Sequence, residues 1–252
     1  MSLTVALKAV DGLVLAADSR VTEGYTLEGP KTQDNSVKFI QLNDDWGVQT
    51  YGNSDIGHAG ISTLKEETST NIPRHPSLSS LLDKSGQVFR RESLRWSGDH
   101  PEIHRNDKDV GFVLAGHDRE GGELKVFKFQ SPDFTPESVQ QGCLLAGQWH
   151  IARYFVRRLY RKEISIEKSK ELAVLLLRAT MTVEKTVGGA IRLAVVTPTT
   201  GFRWASEDEI GMLMKESELL EKAFQEQLQA SLSRVHDEDR RKNASGDTHR
   251  AG

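Results

Sequence analysis

The chain has 252 residues, of which 37% are hydrophobic, and its 33 lysines and arginines against 36 acidic residues give a formal net charge of −3. That is enough apolar material for one sizeable core, and a charge balance that excludes a nucleic-acid footprint. The single cysteine, Cys143, excludes an internal disulfide and predicts a reducing, cytoplasmic setting, while no apolar run reaches the roughly 18 residues of a membrane span and no secretory h-region opens the sequence.

In chain order, Leu3 to Lys8 alternates as a strand, Val10-Asp11-Gly12 is a hairpin signal, and Leu13 to Ala17 is an apolar run typical of a strand buried on both faces. Asp18 ends that strand. Val37 to Leu42, the turn Asn43-Asp44-Asp45 and Trp46 to Gly52 form a second hairpin, whose first strand begins at Lys38. Asn53, Ser54 and Asp55 are N-cap types ahead of a helix over Ile56 to Thr68, so Gly52 lies where a strand turns into a helix and offers a backbone N–H. Pro73, Pro76 and Pro101 flank a helical stretch around Ser79 to Trp96, whose Arg90, Arg91 and Arg95 read as a solvated or inter-subunit face.

Phe112 to Asp118 and Leu124 to Phe129 form a third hairpin, and Gln141 to Gly147 is an apolar strand in which Cys143 is expected as a buried small hydrophobe. Two amphipathic helices follow, Gln148 to Lys162 and Ser165 to about Thr182, the second capped by Ser165. Strands over Ala190 to Thr197 and Phe202 to Trp204 come next, then a helical period over 213–231. From about His236 the sequence is charged and glycine-bearing and is expected to be disordered. The eight histidines show no ligand spacing and no phosphate-binding loop is present, so neither a metal nor a nucleotide cofactor is expected.

Ser2 is the leading chemical candidate. A serine that opens a chain carries its own general base, because its free α-amine titrates near about 7.7 to 8.0 beside the hydroxyl. Serine in second place is common, so Ser2 gains its weight from residues further along the chain.

The run Gly12-Leu-Val-Leu-Ala-Ala-Asp-Ser-Arg20, the segment Lys38-Phe-Ile-Gln-Leu42, Gly52 at its distance from Lys38, and Ser206-Glu-Asp-Glu-Ile210 together resemble the N-terminal nucleophile hydrolases of the proteasome β-subunit type. The resemblance covers residues 2 to about 212. It implies an α+β fold, a four-layer αββα sandwich over 1–212, followed by a C-terminal helix (213–235) and a disordered tail (236–252). Residues Glu23 to Asn35 are longer than the family's usual connection and are expected as a surface loop.

The resemblance also implies the roles. Ser2, exposed by loss of Met1 alone rather than of a long propeptide, attacks a peptide carbonyl. Lys38, balanced by Asp18, sits beside the hydroxyl; Gly52 supplies the oxyanion N–H; Glu184 orients the amine. Val21, Gln49 and the neighbours of Gly52 are candidates for the specificity pocket. Copies of the chain in stacked rings, unfolded polypeptide substrates and a separate unfolding ATPase are the implied partners, with no nucleic acid and no membrane. Two departures qualify this. Gly147, Gln148 and Trp149 stand where the family places a serine near the amine, and Glu184-Lys-Thr-Val187 stands where it has Asp-x-x-Ser, with Thr186 or Gln148 as substitutes. A structural, non-catalytic ring subunit, or an N-terminal nucleophile amidase or transpeptidase, are the alternatives.

Overall fold

The computed structural model describes residues 2–26, 29–71, 76–223 and 226. Strands β1 (Leu3–Lys8) and β2 (Leu13–Ala17) form the expected hairpin, with Lys8 opposite Leu13. β3 (Val21–Thr26) and β4 (Gly29–Gln33) pair as a separate two-stranded ribbon. The insertion is therefore not a plain surface loop: Gly24, Gly29 and Pro30 obscure the strand pattern, and a two-stranded ribbon accommodates a proline that a central strand would not. β5 (Phe39–Gln41) starts one residue after Lys38, whose carbonyl accepts the Thr50 N–H of β6 (Trp46–Gly52) at 2.9 Å.

Helices α1 (Ser54–Asn71) and α2 (Leu78–Asp99) follow, then β7 (Val110–Asp118), β8 (Glu123–Gln130), the short β9 (Glu137–Ser138) and β10 (Cys143–Gly147). Next come α3 (His150–Leu159), α4 (Ile166–Val183), β11 (Arg192–Thr197), β12 (Gly201–Trp204) and a last helix, α5, over 207–223. α5 begins earlier than the periodicity predicts because the Ser206 hydroxyl caps it, accepting the Glu209 N–H at 3.1 Å. The expected continuation of that helix and the expected tail lie, residue 226 apart, outside the described residues.

Two antiparallel sheets carry the fold, ordered β10-β1-β2-β11-β12 and β5-β6-β7-β8-β9. Alternate side chains of each strand serve different layers, as the two-residue period of a strand requires. Val14 and Ala16 of β2 pack with Leu172, Ala173 and Leu176 of α4 in one core, whereas Leu13, Leu15 and Ala17 face Val113 and Ala115 of β7 between the sheets. A third core joins the other sheet to α1 and α2, where the Phe89 and Phe112 rings stack with centroids 3.7 Å apart. The layers are helices, sheet, sheet, helices, an αββα sandwich. No helix among the described residues is long and apolar enough to cross a membrane.

Candidate active site

The site grows from the end of the first hairpin. Register sets Thr4 opposite Ala17, so the next residue, Asp18, lies beside the start of β1. Its carboxylate is fully enclosed and accepts four donors. Oδ1 takes the Leu3 N–H at 2.9 Å, and Oδ2 takes the Arg20 N–H at 3.1 Å, the Gly188 N–H at 3.2 Å and the Lys38 ammonium at 3.1 Å. A buried carboxylate needs this many partners to offset lost hydration.

Lys38 approaches from the other sheet. Its side chain is 4% exposed, and its Nζ also donates to the Arg20 carbonyl. Burial lowers its pKa below that of a free lysine, and the facing charge and hydrogen bond of Asp18 work against that fall. Asp18 thus ties together the residue after Ser2, the turn at Gly188 and Lys38.

Gly52 closes β6 with φ +89°, and a Cβ there would stand 2.3 Å from the Asp109 carbonyl oxygen. Only glycine satisfies both demands. Asn53 then caps α1: its Oδ1 accepts the Asp55 and Ile56 N–H groups at 3.1 and 3.0 Å, while its own N–H is held by Asp109 O at 2.8 Å. The Gly52 peptide is thereby fixed at the electropositive start of a helix. Ser2 and Gly52 line one cleft of about 330 Å³, along with Tyr51, Gly147, Gln148 and Trp149. Asp18 and Lys38 do not line it; they connect to it through the Leu3 N–H, one residue after Ser2, which Asp18 holds.

Glu184 enters differently. It ends α4 with its N–H on Thr180 O (2.8 Å), and its carbonyl accepts the Val187 N–H (2.9 Å) just before Gly188 reaches Asp18. Among the described residues no hydrogen bond joins its carboxylate to Ser2, Asp18 or Lys38. Val187 is fully buried in the helix-facing core, and the buried Thr186 hydroxyl has no hydrogen-bond partner among the described residues. Gln49 is also buried, its Nε2 donating to Ala16 O at 3.0 Å; it ties the sheets together and does not line the cleft.

Two local arrangements escape the sequence reading. Arg20 makes a bidentate pair with Asp34 at 2.7 and 3.0 Å and donates to Lys185 O at 3.1 Å, so it fastens the turn that carries Gly188. Ser36 Oγ lies 2.6 Å from His58 Nε2, close enough to Lys38 for that charge to act on the ring. Both join residues far apart in the chain, and neither has a local signature.

Comparison with known proteins agrees with the fold. A family model described as "Proteasome subunit" matches residues 2–196. The chain is 23% identical over 210 residues to proteasome subunit beta 2 of Nitrosopumilus maritimus, covering 82% of this chain and 90% of that protein. It is 26% identical over 215 residues to the proteasome subunit beta of Methanococcus aeolicus, covering 82% and 88%. Among solved structures, it resembles the helical assembly of the Anbu complex from Pseudomonas aeruginosa (TM-score 0.75, 18% identity, 90% of this chain and 96% of that one). It is also similar to Anbu, an ancestral β-subunit, from Yersinia bercovieri (TM-score 0.69, 19% identity, 88% and 96%). With a family model spanning most of its length and the matching fold, this chain belongs to the proteasome subunit family.

Proposed function

We propose that the chain is a β-type peptidase of this family, cleaving unfolded polypeptides within a self-assembled particle in the cytoplasm, with a separate ATPase delivering its substrates. The observation that carries this reading is that a single buried carboxylate, Asp18, holds both the Leu3 N–H, one residue after the nucleophile, and the Lys38 ammonium, while Ser2 and Gly52 share one cleft.

Once Met1 is removed, Ser2 Oγ attacks the peptide carbonyl carbon and its proton passes to the α-amine of the same residue. The Lys38 charge favours the developing alkoxide, and the Gly52 N–H receives the carbonyl oxygen as it becomes an oxyanion. The C–N bond then breaks and the departing amine takes the proton from the α-ammonium, leaving an ester on Ser2. Water, deprotonated by the same amine, hydrolyses that ester and restores the site. Glu184 contributes through its backbone, by shaping the turn that brings Gly188 to Asp18.

A non-catalytic ring subunit is the second reading. It is favoured by the absence of a hydroxyl at Gly147 and Val187 and by the Thr186 hydroxyl, which has no hydrogen-bond partner among the described residues. Degradation of a denatured protein by the purified, assembled chain separates the two: turnover that disappears in Ser2→Ala supports the peptidase, and no turnover in either supports the structural subunit.

A further inference from the structure

The helical layer over the first sheet has two outer faces that this chemistry does not use. α3 leaves one edge strand, β10, and α5 follows the opposite edge strand, β12, with α4 lying over β1 and β2 between them. The two faces have opposite charge. Residues 150–162 include Arg153, Arg157, Arg158, Arg161 and Lys162, all exposed, and no acid. Residues 206–223 hold six acidic residues against two lysines, and Glu216 and Glu218 are exposed. The formal charge of −3 conceals this separation.

Each face also exposes large apolar side chains. Tyr154 and Leu159 are 54% and 49% exposed on α3, and Met212, Leu219 and Leu220 are 60%, 65% and 56% exposed on α5. Both faces are braced. The Arg158 guanidinium lies 4.6 Å over the Tyr154 ring, and α5 is clamped to α4 through Lys170–Glu209 at 2.6 Å and Arg178–Glu221 at 3.4 Å.

We propose that the basic α3 face of one copy docks on the acidic α5 face of a second copy. The inference rests on the self-assembly part of the proposed function and names the surface that performs it. Burying Tyr154 and Leu159 against Met212, Leu219 and Leu220 supplies the apolar contact, while the opposed charges fix register and speed association. Because the two faces differ, the contact is head to tail, and repeating it closes a ring or extends a helix.

Sedimentation velocity over a concentration series tests this with two double variants of the full chain, Arg157→Glu with Arg158→Glu and Glu216→Lys with Glu218→Lys. None of these residues belongs to the catalytic cleft. Each variant alone is expected to need about tenfold or more protein to assemble. An equimolar mixture is expected to recover large particles, since acidic α3 then meets basic α5 and the reverse. On the unmodified chain, which keeps the test independent of variant folding, raising salt from about 0.1 M to about 1 M shortens the screening length from about 10 Å to about 3 Å and should shift assembly the same way. Variants that assemble like the unmodified chain, or assembly indifferent to salt, overturn the proposed surface and leave self-assembly standing. A mixture that stops at dimers overturns the head-to-tail contact. An unmodified chain that sediments as a monomer at every concentration overturns the self-assembly reading and this inference with it.

Discussion

The carbonyl oxygen of Ser2 occupies the space that a side chain at Gly147 would fill. Gly147 has φ +85°, a Cβ there would fall 1.8 Å from that oxygen, and the neighbouring Gln148 N–H donates to it at 2.7 Å. What reads as a lost serine is therefore a packing requirement at the mouth of the cleft.

Restoring the family's serine by Gly147→Ser should thus harm the protein. Left-handed backbone on a non-glycine residue costs about 1–3 kcal/mol, and displacement of the Ser2 carbonyl adds to it. Urea denaturation is expected to show a lower midpoint than the unmodified chain, and probe labelling of Ser2 should fall. A variant of unchanged stability would refute the interlock.

Asp18 and Lys38 should be unequal partners. Asp18→Asn leaves a buried ammonium without its counter-charge, which costs about 3–5 kcal/mol. Lys38→Met leaves Asp18 with three backbone donors, from Leu3, Arg20 and Gly188, and should cost less. Denaturation midpoints of the two variants check the order, and equal losses would contradict it.

Gly52→Ala should damage structure and chemistry together. The added methyl meets the Asp109 carbonyl at 2.3 Å, so the peptide between β6 and α1 must move. Loss of an oxyanion donor typically lowers rate by about 10²–10³. Acylation of Ser2 by an irreversible probe is the readout, compared at a temperature where both proteins are folded.

His58 should make stability pH-dependent below about 6.5. Burial lowers its pKa, Asp55 opposes the fall and Lys38 adds to it. A base with a depressed folded-state pKa binds fewer protons when folded than when unfolded between the two values, so stability is gained as pH rises through that window and lost as it falls. The unmodified chain should therefore lose stability relative to His58→Gln as pH drops below about 6.5. Parallel pH profiles of the two proteins would contradict this.

Much of this molecule is legible from its residues, and the exceptions have physical reasons. The β1–β2 hairpin follows from alternation around Asp11-Gly12, Asp18 follows the end of β2 and pairs with Lys38, and Gly52 ends β6 ahead of α1. The β3–β4 ribbon is hidden because Gly24, Gly29 and Pro30 are poor strand residues whose pairing depends on each other. Gly147 illustrates a different limit. Sequence shows an absent hydroxyl, but the positive φ and the carbonyl beside it exist only once β1 and β10 pair. Arg20–Asp34 and Ser36–His58 likewise depend on tertiary approach.

The most direct test of the proposed nucleophile is intact-protein mass spectrometry before and after treatment with an epoxyketone probe, with Ser2→Ala as control. The expected result is a chain lacking Met1 that gains one probe adduct, absent from the control. Retention of Met1, or a processed chain that never gains the adduct, would contradict the assignment of Ser2 as nucleophile.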